Sequence, residues 1–166
     1  APIFDLKKNK IPWRFDKKIS GGGNFLDMGL HVIDFLLDVF GSIKNYQSLK
    51  INNKKMYNVE ESLVINLIFS NSVIGQGSWY STINERRDVM NIYGSKGSIQ
   101  FSFNFNDKIL IKKGKKIITK KIKMTNPPHG PLIRKVVKIF LDSIKKNKNY
   151  IDYKSLELTK FQNKIY

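Results

Sequence analysis

Four ionisable side chains recur along one apolar segment of the sequence. Asp27, His31, Asp34 and Asp38 are separated by four, three and four positions, a spacing that places them along one stripe of an α-helix. Asp27 lies in the first turn of that predicted helix, where the helix dipole favours a carboxylate. A histidine oriented by a carboxylate one turn away can move a proton on or off a hydroxyl group. The stripe therefore predicts acid/base chemistry.

The same residues also have a purely structural interpretation. Asp27 could cap the helix, Asp34 and Asp38 could form its solvated edge, and His31 could be a satisfied core histidine. The three glycines before the helix, 21–23, could expose backbone N–H groups to an anion or only permit a tight turn. They do not form the Gly-x-Gly-x-x-Gly pattern of a dinucleotide-binding strand. Spacing alone leaves both interpretations open.

The pattern of apolar residues predicts the elements that position this stripe. Helical spacing continues from the glycines to Gly41, a typical C-terminal stop, and indicates a helix buried on most sides. From about residue 44 to 124 the period changes to two with short turns, which is typical of an antiparallel meander. Amphipathic helices follow from Leu132 and after Asp152. The predicted fold is α+β: a large open, mostly antiparallel sheet with a long buried helix and C-terminal helices on one face.

Composition excludes several classes of protein. The sequence has no cysteine and only two histidines, His31 and His129, so it predicts no disulfide, no thiolate catalysis and no metal site. No apolar run is long enough to cross a membrane. The start at Ala1 has neither an initiator methionine nor the pattern of a signal peptide. We expect a cut or processed start and a cytoplasmic protein.

The formal net charge is +17, which is typical of proteins that bind nucleic acids or acidic membranes. Only four of the thirty basic residues are arginine, the residue favoured for phosphate and base contacts, and most lysines are scattered. We therefore favour solvated lysine-rich faces over nucleic-acid binding. The exception is a lysine cluster on the last predicted hairpin. These lysines could prevent edge-to-edge aggregation of a solvated sheet edge, or they could bind a polyanion. The members of the cluster are Lys112, Lys113, Lys115, Lys116, Lys120, Lys121 and Lys123.

Three motifs give the sequence a family resemblance. Trp13-Arg14-Phe15-Asp16 precedes a Ser-Gly-Gly-Gly-Asn run at 20–24 and an Asp-x-Gly-x-His-x-x-Asp run at 27–34. Their order and spacing resemble the signature of the glucose–fructose oxidoreductase / inositol dehydrogenase / rhizopine-catabolism (Gfo/Idh/MocA) family. The segment 92–99 resembles the strand–glycine turn–strand of that family, and the stretch from His129 to Leu141 together with the closing helix resembles its C-terminal end. The resemblance covers nearly the whole chain.

The resemblance implies that residues 1–166 are a C-terminal substrate-binding and oligomerisation domain. An N-terminal Rossmann domain absent from this chain would bind NAD or NADP and carry a Glu-Lys-Pro motif, so the fragment alone would be inactive. The implied reaction is hydride transfer between nicotinamide and a sugar, polyol or related hydroxy compound. The implied assembly is a homodimer or homotetramer formed through the open sheet face. The alternative is a non-catalytic binding or assembly module with the same fold.

The motifs also imply roles for individual residues. Asp27 would bind or orient the substrate, and His31 would donate or accept the proton. Trp13 and Arg14 would line the cleft near cofactor or substrate. Asn24 and His129 complete the implied set of substrate-binding residues, although a plain surface-loop role is the alternative for His129.

Overall fold

The computed structural model describes residues 13–52, 57–81, 83, 85, 87–103, 107–122, 130–146 and 153–165. His129 lies outside these residues. The chain separates into two compact units, the first made of Ala1–Arg86 with Asp152–Tyr166 and the second of Arg87–Ile151. Among the described helices, none is both long and apolar enough to cross a membrane.

The elements are described in chain order and keep these labels below. They are a 3-10 turn over Trp13–Phe15, helix α1 (Lys17–Ser20), a π-helical turn over Phe25–Gly29, helix α2 (Leu30–Phe40), strands β1 (Ile43–Ile51), β2 (Ser62–Phe69), β3 (Ile74–Tyr80), β4 (Met90–Gly94), β5 (Gly97–Phe101), β6 (Lys108–Lys113) and β7 (Lys116–Lys121), and helices α3 (Gly130–Lys145) and α4 (Tyr153–Ile165).

The first unit is built on an antiparallel sheet in the order β1-β2-β3. Its central strand alternates between apolar residues that are buried and residues that face outward, as expected when one face of a sheet is covered. On β3, glycines on the inner face leave room for the ring of Trp79, since a Cβ at Gly77 would lie 2.6 Å from that ring. The buried side chains of β2 are Leu63, Ile65, Leu67 and Phe69.

Helices α2 and α4 cover this inner face. Ile33 and Leu37 of α2 are buried in one core with the apolar residues of β2. Phe161 of α4 joins the same core, and its ring lies 5.1 Å from that of Tyr46 on β1. Helix α2 ends at Gly41, whose φ of 81° favours glycine. Helix α4 thus completes the core that α2 begins.

The second unit contains an antiparallel sheet in the order β4-β5-β6-β7. One face carries an isoleucine from each strand in direct register, Ile92, Ile99, Ile111 and Ile118. Strands β6 and β7 form a hairpin that turns at Gly114, where φ is 56°. The lysines of β6 and β7 are exposed along this hairpin.

The α+β class, the antiparallel strands and both C-terminal helices are confirmed. Two details differ from the sequence expectation. Within the described residues the strands hydrogen-bond in two sheets, of three and four strands, instead of one large sheet. The long helix also begins with a π-helical turn, which a repeat of 3.6 residues does not predict.

Candidate functional site

The tryptophan–arginine turn and the helix after the glycines meet through an ion pair. The Nε of Arg14 lies 2.9 Å from Oδ2 of Asp27 and donates a hydrogen bond to it. The two side chains are 54% and 44% exposed, so the pair lies at the protein surface in contact with solvent. An ion pair this exposed adds little to stability, but it fixes the direction of the Asp27 carboxylate.

A small open cleft lies beside this ion pair. Its volume is about 210 Å³. Trp13 forms one wall, and the guanidinium carbon of Arg14 lies 4.5 Å from the centre of its ring, a distance at which the cation and the ring attract each other. An aromatic ring beside paired charges offers both a stacking surface and hydrogen-bonding groups. The lining residues are Trp13, Arg14, Ser20, Gly22, Leu26 and Asp27.

The glycine loop has a defined geometry. Asp16 caps α1 by accepting a hydrogen bond from the Lys18 N–H at 3.0 Å. Gly21 then ends α1 with φ of 78°, and its N–H donates to the carbonyl of Lys17, a left-handed cap that favours glycine. Gly22 and Gly23 are buried. The loop therefore turns the chain sharply from α1 into the helix that carries Asp27.

The π-helical turn results from contact between Phe25 and Gly29. A Cβ on Gly29 would lie 2.3 Å from the Phe25 ring, so the ring packs directly over the glycine. The same ring is fully buried and meets Trp79 edge-on, with centroids 4.8 Å apart. The Leu30 N–H consequently donates to the carbonyl of Phe25, one residue further back than in an α-helix. Such widened turns occur frequently at functional sites.

The π-helical turn changes the spacing of the four ionisable residues that the sequence predicts along one helical stripe. Asp27 lies inside the π-helical turn while His31, Asp34 and Asp38 lie on α2, so regular α-helical spacing does not hold between Asp27 and His31. All four side chains are exposed. Within the described residues, the Asp27 carboxylate bonds to Arg14, whereas His31 makes no hydrogen bond to any of them. Asn24 is half-buried directly before the turn.

The structure thus brings Trp13, Arg14 and Asp27 together around one cleft. His31 follows on the same continuous helix, two residues after the turn ends at Gly29. The described residues contain no group of three or more histidine and acidic side chains that could hold a metal ion.

A second set of residues, 57–61, was missed by the sequence interpretation. The Asn58 side chain accepts a hydrogen bond from the Lys17 N–H at 2.8 Å, and Glu60 accepts one from the Gly23 N–H. Both acids of this segment, Glu60 and Glu61, are buried. The signal in the sequence is slight: two adjacent acids before an apolar strand, in a chain that has few acids.

Tyr57 lies beneath the tryptophan–arginine turn. Its ring is 5.0 Å from that of Phe15, and these two residues form a small apolar cluster with Val59. Burial, and secondly the negative charge of Glu61, raise the pKa of Tyr57 above its ordinary value. Tyr57 therefore stays neutral at physiological pH and acts as a packing surface for the turn that carries Arg14.

Sequence comparison identifies the class to which this fold and site belong. Residues 4–100 match the model of the GFO/IDH/MocA C-terminal domain. The chain is 31% identical over 138 residues to Oxidoreductase P35 from Formosa agariphila, covering 82% of this chain and 41% of that protein. The chain belongs to the Gfo/Idh/MocA oxidoreductase family and spans 41% of the length of this relative.

Solved structures share the fold. Aldose–aldose oxidoreductase from Caulobacter crescentus, complexed with glycerol, superposes with a TM-score of 0.73 at 14% identity, over 93% of this chain and 48% of that one. Levoglucosan dehydrogenase in complex with NADH and levoglucosan gives a TM-score of 0.60 at 22% identity, over 66% and 34%. An oxidoreductase from Thermotoga maritima gives 0.67 at 19% identity, over 93% and 44%.

Proposed function

We propose that this chain is the substrate-binding half of an NAD- or NADP-dependent oxidoreductase. Its reaction is hydride transfer between nicotinamide and a sugar, polyol or related hydroxy compound. The observation that carries the proposal is the Arg14–Asp27 pair beside the Trp13 ring, formed by the same residues that carry the family motifs. The nicotinamide cofactor, held by a dinucleotide-binding domain outside this chain, supplies the hydride acceptor or donor.

The size of the cleft supports the proposal that this chain binds the substrate and another domain binds the cofactor. Sites that bury drug-sized ligands have volumes of roughly 300–1,000 Å³, whereas the cleft beside Asp27 has about 210 Å³. It can take part of a sugar ring but not a dinucleotide. An exposed tryptophan ring offers an apolar surface to the C–H face of a sugar, and the paired charges can hydrogen-bond its hydroxyl groups.

Each residue has a defined part in this proposal. Asp27 accepts a hydrogen bond from a substrate hydroxyl, and Arg14 holds the carboxylate in place by donating a hydrogen bond to it. His31 takes the proton of the reacting hydroxyl as hydride leaves the same carbon, and returns it in the reverse direction. Asn24 and His129 are proposed to contact the remaining hydroxyl groups. The sugar and polyol ligands of the two related structures, levoglucosan and glycerol, support this substrate class.

The first test is a fluorescence titration with NADH and NADPH. We expect saturable binding by the full-length protein that contains this chain, and none by residues 1–166 alone. Failure of the full-length protein to bind either nucleotide would contradict the proposal. It would favour the alternative of a non-catalytic module with the same fold.

The second test addresses His31. In a full-length protein with activity on a polyol, His31→Ala should lower kcat by roughly 100-fold or more, the contribution of a positioned acid/base group, with little change in substrate binding. Asp34→Ala is the matched control, because Asp34 is also exposed on α2. Turnover that survives in His31→Ala, or falls equally in Asp34→Ala, would remove the assignment.

We also propose that the chain assembles into a homodimer or homotetramer through the outer face of β1-β2-β3. That face exposes Leu49 and Ile74 by 75% and 77%, and between them lies a row of amides in which Gln76 donates to Asn66 at 3.1 Å. Ile74→Lys should dissociate the assembly in light-scattering measurements. The control is Lys44→Ala, which replaces an exposed polar residue of β1 and should leave the assembly intact.

A further inference from the structure

The segment between β1 and β2 holds the loop that precedes Asp27. Glu60, in this segment, is only 8% exposed. The Gly23 N–H donates to both carboxylate oxygens of Glu60, at 3.0 Å each. Hydrogen bonds to an ionised carboxylate are stronger than those between neutral groups. This one joins residues 37 positions apart in the sequence and fixes the glycine loop to the first unit.

The close approach depends on glycine. A Cβ at residue 23 would lie 2.5 Å from the Glu60 carbonyl oxygen and 2.8 Å from its carboxyl carbon. Any other residue would therefore push the loop away from the carboxylate. The third glycine of the loop allows the backbone to approach Glu60, whereas Gly21 provides the left-handed turn.

Gly23 connects this carboxylate to the candidate site. Its carbonyl accepts hydrogen bonds from the N–H groups of Leu26 and Asp27, at 3.1 and 3.3 Å. Glu60 thus accepts a hydrogen bond from the N–H group of Gly23, and the carbonyl group of Gly23 accepts one from the N–H group of Asp27. The carboxylate also lies at the N-terminal end of the helical segment, where the helix dipole offsets part of the cost of burying its charge.

We propose that Glu60 is a positioning residue for the reaction, acting through Gly23 to place Asp27 and the start of the helix that bears His31. Glu60 is not among the residues that line the cleft. This inference rests on the proposed function, because Asp27 and His31 have their roles only there. We therefore expect that loss of the carboxylate lowers the rate of the chemical step, and that a destabilising change elsewhere in the core does not lower it to the same extent.

The first measurement requires no substrate. Hydrogen–deuterium exchange of the Gly23 amide should accelerate by roughly 10- to 100-fold in Glu60→Ala of the full-length protein, the factor expected on losing a hydrogen bond to a charged acceptor. Glu60→Gln keeps the length of the side chain but replaces one accepting oxygen by a donor, and should give a smaller acceleration. Unchanged exchange at Gly23 in both variants would overturn the proposal.

The second measurement separates positioning from stability. Glu60→Gln should lower kcat by roughly 10- to 100-fold, the scale expected when reacting groups are displaced by about 1 Å, with KM nearly unchanged. The control is Ile165→Val, a change in the buried core of α4, assayed well below both melting temperatures. If kcat falls no further in Glu60→Gln than in Ile165→Val, the proposal is overturned, even if the Gly23 amide exchanges faster.

Failure of the proposed function is distinguishable from failure of this inference. A wild-type protein that transfers no hydride with a panel of polyols and sugars would overturn the proposed function. In an active enzyme, unchanged Gly23 exchange, or a kcat equal to that of the control, would overturn only the positioning role of Glu60. Faster exchange combined with a selective fall in kcat would support both.

Discussion

The two units of the chain differ in how completely they bury their apolar side chains. In the first unit, the inner face of β2 is closed by α2 and α4, and Ile33 and Ile65 have no exposed surface. In the second unit, all residues at 87–103, 107–122, 137–142 and 144–146 keep some exposure, including the four isoleucines in register on its sheet. Helix α3 leaves Phe140 and Ile144 largely exposed.

The difference indicates where rigidity is concentrated. All the residues proposed for the site that the structure describes lie in the first unit, on a loop and helix supported by the closed core. Placing catalytic groups on elements fixed by a packed core keeps them within small tolerances. The second unit carries the basic hairpin instead, where exposed lysines need no such support.

The largest expected effect tests the contrast in burial directly. Ile65→Ala should destabilise the first unit by about 2–5 kcal/mol, because a fully buried side chain leaves a cavity. Ile111→Ala, at the matching position of the second sheet, should cost only about 1–2 kcal/mol. Urea unfolding followed by tryptophan fluorescence reports the first unit, which contains Trp13 and Trp79, and hydrogen exchange in β6 reports the second. Equal losses would break the comparison.

The next effect concerns glycines in each unit. Alanine in place of a helical glycine normally stabilises by about 0.5–1 kcal/mol, but at Gly29 the new Cβ would lie 2.3 Å from the Phe25 ring. We expect Gly29→Ala to destabilise by about 1–3 kcal/mol through overpacking. A Cβ at Gly94 would lie 3.8 Å from the Gly97 carbonyl oxygen, an ordinary contact distance, so Gly94→Ala should change the melting temperature little. A stabilised Gly29→Ala protein would show that the π-helical turn has room to relax.

The smallest expected effect concerns the charges on the β6–β7 hairpin and their contribution to the stability of the second unit. Lys113 and Lys116 lie directly opposite each other across the hairpin, and like charges at such positions are destabilising. Lys116→Glu should therefore stabilise the second unit by about 0.2–1 kcal/mol, and by less at high salt.

Lys121→Glu is the matched control for this prediction. Lys121 also lies opposite a lysine, Lys108, but its Nζ is 3.4 Å from the Asp107 carboxylate. Replacing it removes that ion pair and places two acids together, so we expect no gain. A gain of the same size in both variants, measured by hydrogen exchange in β6 and β7, would mean that the register of charges is unimportant.

Much of the fold follows from local patterns. Periodicity predicts α2 and its end at Gly41, the hairpin that turns at Gly114, and both C-terminal helices, because each depends on residues close together in the sequence. The π-helical turn does not follow, since it depends on Phe25 packing between Gly29 and Trp79 of a distant strand. The buried carboxylate of Glu60 is equally hidden, because its partner is a backbone N–H brought near only by the tertiary fold.

For the candidate site, the family motifs point to Trp13, Arg14 and Asp27, which lie around one cleft. The spacing argument for Asp27 and His31 assumes an α-helix and therefore fails at the widened turn. The ion pair between Arg14 and Asp27 could not be derived from spacing, because the two residues are 13 positions apart and joined through a cap and a loop.

The widened turn makes the site sensitive to the number of residues as well as to their identity. The turn holds one residue more than an α-helical turn, since the Leu30 N–H bonds five residues back to Phe25. Deleting one residue between Phe25 and Gly29 would therefore let the segment rewind as a regular α-helix, and the residues on either side would keep nearly the same relation about the axis. Residues inside the turn, Asp27 among them, would change direction relative to Arg14. A single-residue gap at this point in an alignment would thus mark a change in the geometry of the candidate site alone.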